Sequence, residues 1–261
     1  MKYPLTLALA CALALPVLSA PTQPSPLRVS WATAPQATKV QKAVFAHLSK
    51  QIGREISMPE VPANGLVSWS LRGYETAGSD PKQLYPVVYE QLLVAQKLAE
   101  EKNPQQKRRA LRLAHNANFK VATRLRDTAL CALIFDAFIL PNIEAAPTGK
   151  GTLSRARLLQ DAASAYRLAG ETPKQADSLR LLVQVSQADG DTDGADWARV
   201  KLSDVLISQK LYAQAIEQLK AVSAVNMAGA KRRIPQLEAL QKAAPDANRA
   251  PQKTTQTQTA P

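Results

Sequence analysis

Apolar residues along this chain return at three- and four-residue steps, the rhythm of one face of an α-helix, and no two-residue alternation of a strand persists. The pattern is clearest in Ala198–Val222. There Ala198, Leu202, Val205 and Leu206 line one face, the turn Gln209-Lys210-Leu211-Tyr212 interrupts, and Ala215, Ile216, Leu219 and Val222 line a second. The small residues Ser203 and Ala215 sit where two helices of a hairpin would approach closely, so this stretch predicts two short helices folded against each other.

The same reading predicts a first helix over Gln36–Ile52, with Val40, Val44 and Leu48 on one face. Further helices are predicted at Pro81–Glu101, Pro104–Asn116, Phe119–Leu140, Thr152–Ala169, Pro173–Ala188, Gly194–Gln209, Tyr212–Val225 and Gly229–Ala243. The break at Asn116–Asn118 competes with one long helix from Pro104 to Leu140. Three of the starts share one design: Asp80-Pro81-Lys82-Gln83, Asn103-Pro104-Gln105-Gln106 and Thr172-Pro173-Lys174-Gln175. In each, a capping side chain accepts free amides, Pro takes the first helical position, and Gln can bond back. Gly53–Ser79 lacks the rhythm and is punctuated by Pro and Gly, with Trp69 and Tyr74 as its expected anchors. The expected class is all-α, built of antiparallel helix hairpins stacked on one another.

The ends divide the chain further. Residues 1–20 read as a signal peptide: Lys2 is the only charge, Leu5–Leu18 is apolar, and Leu18-Ser19-Ala20 closes on small residues. Residues 21–35 form a Pro-rich linker, 36–79 the first helix and irregular segment, 80–243 the helical repeat domain, and 244–261 a disordered tail rich in Gln, Thr, Ala and Pro. Export to a periplasmic or extracellular address follows, with no integral membrane span once the signal is removed. Removal also takes Cys11 and leaves Cys131 alone, so no internal disulfide is possible; Cys131, on an apolar helix, reads as a small buried hydrophobe.

The hairpin resembles a tetratricopeptide repeat. Leu202, Ser203 and Leu206 match the family's first helix, Tyr212 its turn, and Ala215-Ile216 its second helix, with Ser203 in place of the usual Gly or Ala and Met227 where the family has Pro. The likeness extends to Thr152–Ala188, and the repeat is degenerate. It implies a scaffold whose concave face binds a protein or peptide partner.

Catalytic patterns are sparse. His47 and His115 are the two histidines, and neither has a second ligand at metal-binding spacing; no Gly-x-Ser-x-Gly or His-Glu-x-x-His occurs. Thr148-Gly149-Lys150-Gly151-Thr152 imitates a phosphate loop, but Glu144 stands where the first Gly belongs, and Gly151 replaces the hydroxyl residue after Lys150. It reads as an interhelical loop with Thr152 as a cap. Asp189, Asp191 and Asp193, followed by Gly194, match the start of a calcium loop, although Val200 takes the place of the bidentate Glu and Asp196 that of the apolar eighth residue. The plainer reading is an acidic turn in which Asp193 caps the next helix. Asp136, on the apolar run Ala132–Leu140, is expected to pair with an Arg from a neighbouring helix.

Charge supplies the sharpest feature. The chain holds 33 Lys and Arg against 21 Asp and Glu, for a formal net charge of +12. Pro104–Arg126 carries Lys107, Arg108, Arg109, Arg112, Lys120, Arg124 and Arg126 and no acid. On a helical wheel Arg108, Arg109, Arg112, Lys120, Arg124 and Arg126 lie opposite the apolar side, so they are the candidate contacts for an anionic polymer. The function expected from the sequence is thus an exported, non-enzymatic helical-repeat scaffold for protein–protein interaction. The alternative is an envelope polyanion-binding protein that uses the basic helix. No cofactor is expected beyond the calcium candidate.

Overall fold

The computed structural model describes residues 34–57, 80–223 and 227–243, and every regular element among them is helical. The expected signal, most of the expected linker, the expected anchors Trp69 and Tyr74, and the expected tail lie outside the described residues. In chain order the α-helices are α1 (Ala34–Ile52), α2 (Leu84–Glu100), α3 (Pro104–Lys120), α4 (Thr128–Ile134), α5 (Arg155–Ala169), α6 (Thr172–Ala188), α7 (Thr192–Ser208), α8 (Tyr212–Lys220) and α9 (Met227–Ala243). The all-α expectation holds.

The first half is a bundle. α1 packs on α2, on α4 and on the π-helical turn Phe135–Ile139, while α2 pairs with α3. Phe45 of α1 joins them, stacking tilted on Tyr89 at 5.0 Å and edge-on to Phe138 at 5.9 Å. The stretch Thr128–Ala145 is long and apolar enough to cross a membrane, yet 56% of it is buried here, where Leu130, Ile134, Phe138 and Ile139 fill the bundle core.

The second half stacks. From α5 to α9 each helix packs chiefly on its sequence neighbour, as in solenoids. Three turns in this half share one geometry. Gly170, Gly190 and Lys210 take positive φ of 76°, 70° and 60°. In each, the following residue's amide reaches back to a carbonyl in the last helical turn: Glu171 to Tyr166, Asp191 to Ser186 and Leu211 to Leu206. This is the Schellman stop, and the αL residues fall twenty positions apart. Connections this short force antiparallel neighbours.

The predicted starts fare unevenly. Asp80 accepts from the Lys82 amide at 2.9 Å and Asn103 from the Gln105 amide at 2.8 Å, as expected. Thr172 does not cap: it is the first helical residue of α6, and Glu171 precedes it without a side-chain cap bond. Ser154, not Thr152, caps α5, accepting from the Arg157 amide at 3.3 Å. The break expected at Asn116–Asn118 lies later. Asn118 stays helical because its Nδ2 donates to the Cys131 carbonyl at 2.9 Å, which ties α3 to α4. The chain runs on through the π-helical turn Val121–Leu125 and stops at Arg126, whose φ is 53°. Asp127 then starts α4: one oxygen accepts the Leu130 amide at 2.9 Å, and the other pairs with His47 Nε2 at 2.7 Å.

Candidate functional site

A groove of about 750 Å³ opens between α3 and α5, with α4 as its floor. Each wall is a stripe at helical spacing. His115, Phe119 and Ala122 come from α3 and its π extension, Cys131 and Phe135 from the floor, and Asp161, Ala165 and Leu168 from α5. Both π-helical turns border it, through Thr123 and Phe135, as does Arg126 in its left-handed backbone. Such irregular backbone recurs where helical proteins build sites. At the lip Phe119 is 50% and Leu168 60% exposed, the two most exposed large apolar side chains among the described residues.

The polar contents are ordered. Asp161 receives Arg157 Nε at 3.1 Å and lies 3.4 Å from His115 Nε2, so its charge is balanced inside the groove. Cys131 is 4% exposed, and its thiol is pushed up to about 12, by burial first and by the charge of Asp127 second. A thiol held protonated is a wall, not a nucleophile. Sequence spacing offers His115 no partner, because Asp161 lies 46 residues away along the chain. The one available signal was Leu168, an apolar residue on the otherwise polar α5 stripe Arg157, Asp161, Ser164, which faces away from the buried side of the helix.

The basic face divides. Arg108, Arg109, Arg112, Arg124 and Arg126 are exposed, and among the described residues no carboxylate lies within ion-pair distance of any of them. Lys120 does not belong with them. It is 0% exposed, its Nζ donates to Gln91 Oε1 of α2 at 2.8 Å, and burial pushes its ammonium down to about 8. Asp136 is paired, but by Lys174 at 2.8 Å and by the Tyr166 hydroxyl rather than by an arginine.

Lys120 carries a pH prediction. A base whose folded pKa lies below its unfolded value binds fewer protons when native, so stability rises as pH climbs from about 8 towards 10.5. The whole effect is about 3 kcal/mol. Denaturant melts at pH 7.5, 9 and 10 should therefore show wild type gaining on Lys120→Met as pH increases. Parallel curves would mean that Lys120 titrates as a solvated lysine.

Two of the three aspartates bond backbone amides. Asp189 accepts from the Gly149 amide at 3.0 Å, which pins the phosphate-loop mimic to the acidic turn. Asp191, not Asp193, caps α7 by accepting from the Gly194 amide at 3.2 Å. Among the described residues no three His, Cys, Asp or Glu side chains converge as a metal site. Gly194 now has a reason: a Cβ there would stand 2.2 Å from Asp191 Oδ2. Gly194→Ala and Asp191→Ala should each cost about 1–2 kcal/mol by removing the same cap, with or without millimolar calcium. A thermal midpoint raised by calcium in wild type, and not in Asp191→Ala, would restore the metal reading.

Comparison with known protein families, with curated proteins and with solved structures finds no match to this chain.

Proposed function

We propose that this chain is an exported, non-enzymatic scaffold of tetratricopeptide-like hairpins that binds a protein partner, with the groove between α3 and α5 as the binding site. The observation that carries the reading is the groove itself, an open volume of about 750 Å³ with Phe119 and Leu168 half in solvent on its lip. Exposed apolar side chains beside a concavity mark surfaces that a partner covers. The regular turns at Gly170, Gly190 and Lys210 support the scaffold half, because they hold successive hairpins in one orientation. Export rests on Lys2, the apolar run Leu5–Leu18 and the small residues before Pro21.

A photo-crosslinking residue placed at Leu168, tested in envelope extract, examines this reading. A discrete adduct that appears at position 168, is absent from the same residue placed at Lys210, and disappears in Phe119→Ser would support it. Adducts of equal yield at both positions, or none at 168, would overturn it.

The exposed arginines favour a second reading, an envelope polyanion binder. Its mark is steep loss of heparin retention with salt, and a shallower slope when Arg108, Arg112 and Arg124 are replaced by Gln.

A further inference from the structure

We infer that the groove selects an acidic amphipathic helix, an inference that rests on the scaffold reading and names the chemistry of its partner. The apolar and basic features noted separately in the sequence belong to one surface. Arg108, Arg112, His115, Phe119 and Ala122 follow one another by four or three residues, so they form a single stripe along α3 that passes from charge into the apolar groove. Arg126 closes the stripe where the chain turns, and Arg157 stands on the opposite wall. The cationic groups therefore sit at both ends of an apolar centre.

Three observations fix the guest. Its length follows from the α5 wall: Arg157 to Leu168 spans roughly 17 Å at the helical rise, about three turns of a bound helix. Its conformation follows from the lining, which is helix faces except for Arg126, Gly151 and Thr152 and contains no strand. A guest strand would find no edge to pair with, whereas a helix satisfies its own amides and needs only an apolar face. Its charge follows from the balance. The one carboxylate lining the groove, Asp161, is paired with Arg157, and Arg112 and Arg126 have no carboxylate within ion-pair distance among the described residues. A guest with apolar residues at i, i+4, i+7 and i+11 and Glu on the flanks would cover Phe119 and Leu168 together and meet those arginines. A small molecule held within the groove would leave both lips wet.

The probe is a fluorescein-labelled designed helix of about 16 residues with that Leu spacing and Glu flanks. Two sister peptides replace Glu by Lys or Leu by Ser, and polyglutamate serves as an unstructured anion. In fluorescence anisotropy the Glu-flanked peptide should bind the full chain at least about tenfold more tightly than the Lys-flanked one, a gap that narrows in high salt. Arg112→Gln with Arg126→Gln should close much of that gap. Phe119→Ser with Leu168→Ser, both at exposed positions, should abolish binding while the circular dichroism spectrum stays that of wild type. If both peptides bind alike and the Ser pair abolishes both, the groove stands and acidic selection falls. If the Leu-to-Ser peptide or polyglutamate binds as well as the designed helix, and the Ser pair is silent, the groove reading falls too and the polyanion surface replaces it. Absence of binding by every peptide overturns the inference.

Discussion

Ala215→Arg should unfold the second half of the chain, with a loss of about 4 kcal/mol or more. Ala215 is 0% exposed on α8, beside Ile216 and Leu219 in a core that continues through Leu202 and Leu206 of α7. The position has no room for a long side chain. Overpacking a filled core costs about 1–3 kcal/mol, and a guanidinium without a partner adds several more. Lys210 is the control. It is exposed in the turn with φ of 60°, so Lys210→Ala keeps the same strained backbone and should be nearly silent. Lys210→Gly should raise stability by about 1 kcal/mol, since Gly holds the αL conformation without steric cost. Urea melts of the three variants give the comparison. Equal small shifts for Ala215→Arg and Lys210→Ala would mean that Ala198–Val222 is not a packed hairpin.

That hairpin was legible because its information is local. Leu202, Leu206, Ala215 and Leu219 are neighbours along one short stretch, and helical spacing alone puts them on facing sides. Asp80 and Asn103 were legible for the same reason: a cap acts within three residues of itself. Local information is not enough where two local solutions are equally good. Asp191 and Asp193 could each precede a helix, and the choice fell to the one whose carboxylate fits over Gly194. At Asn118 a distant partner decided, since the Cys131 carbonyl holds its side chain inside and keeps α3 going.

The groove was harder still. His115, Phe135 and Leu168 come from three separate elements, and nothing in the spacing within any one of them says that they converge. Lys120 shows the same limit in reverse. It stands among arginines on the polar side of the wheel, yet its ammonium is buried, where it donates to Gln91, 29 residues earlier. Helical wheels report which residues share a face. They do not report which face the neighbouring helices cover.

Asp196→Asn is the second large loss expected, about 3–4 kcal/mol at neutral pH. In the sequence this residue figured as a defect in a calcium loop. In the structure it is 1% exposed and clamps the hairpin: Oδ1 receives Arg199 at 3.0 Å, and Oδ2 accepts the Ser223 amide at 2.9 Å, tying the start of α7 to the chain just beyond α8. Asn keeps the shape but leaves the Arg199 guanidinium, itself only 12% exposed, without its counter-charge. Burial alone would raise the Asp196 carboxyl, but the Ser223 bonds and Arg199 outweigh it and hold the group below the ordinary carboxylate value. The pH dependence follows in sign. The native state stays unprotonated where the unfolded chain takes up a proton, so the stabilisation is complete above about pH 5 and drains away as pH falls through about 4. Wild type should therefore lose stability more steeply than Asp196→Asn between pH 5 and 3. Arg199→Ala should weaken the protein at pH 7 and lose less on acidification, because its carboxylate keeps the burial without the cation. Urea melts at pH 7, 5, 4 and 3.5 separate these outcomes, and acid slopes that run parallel in all three proteins would remove Asp196 from the clamp.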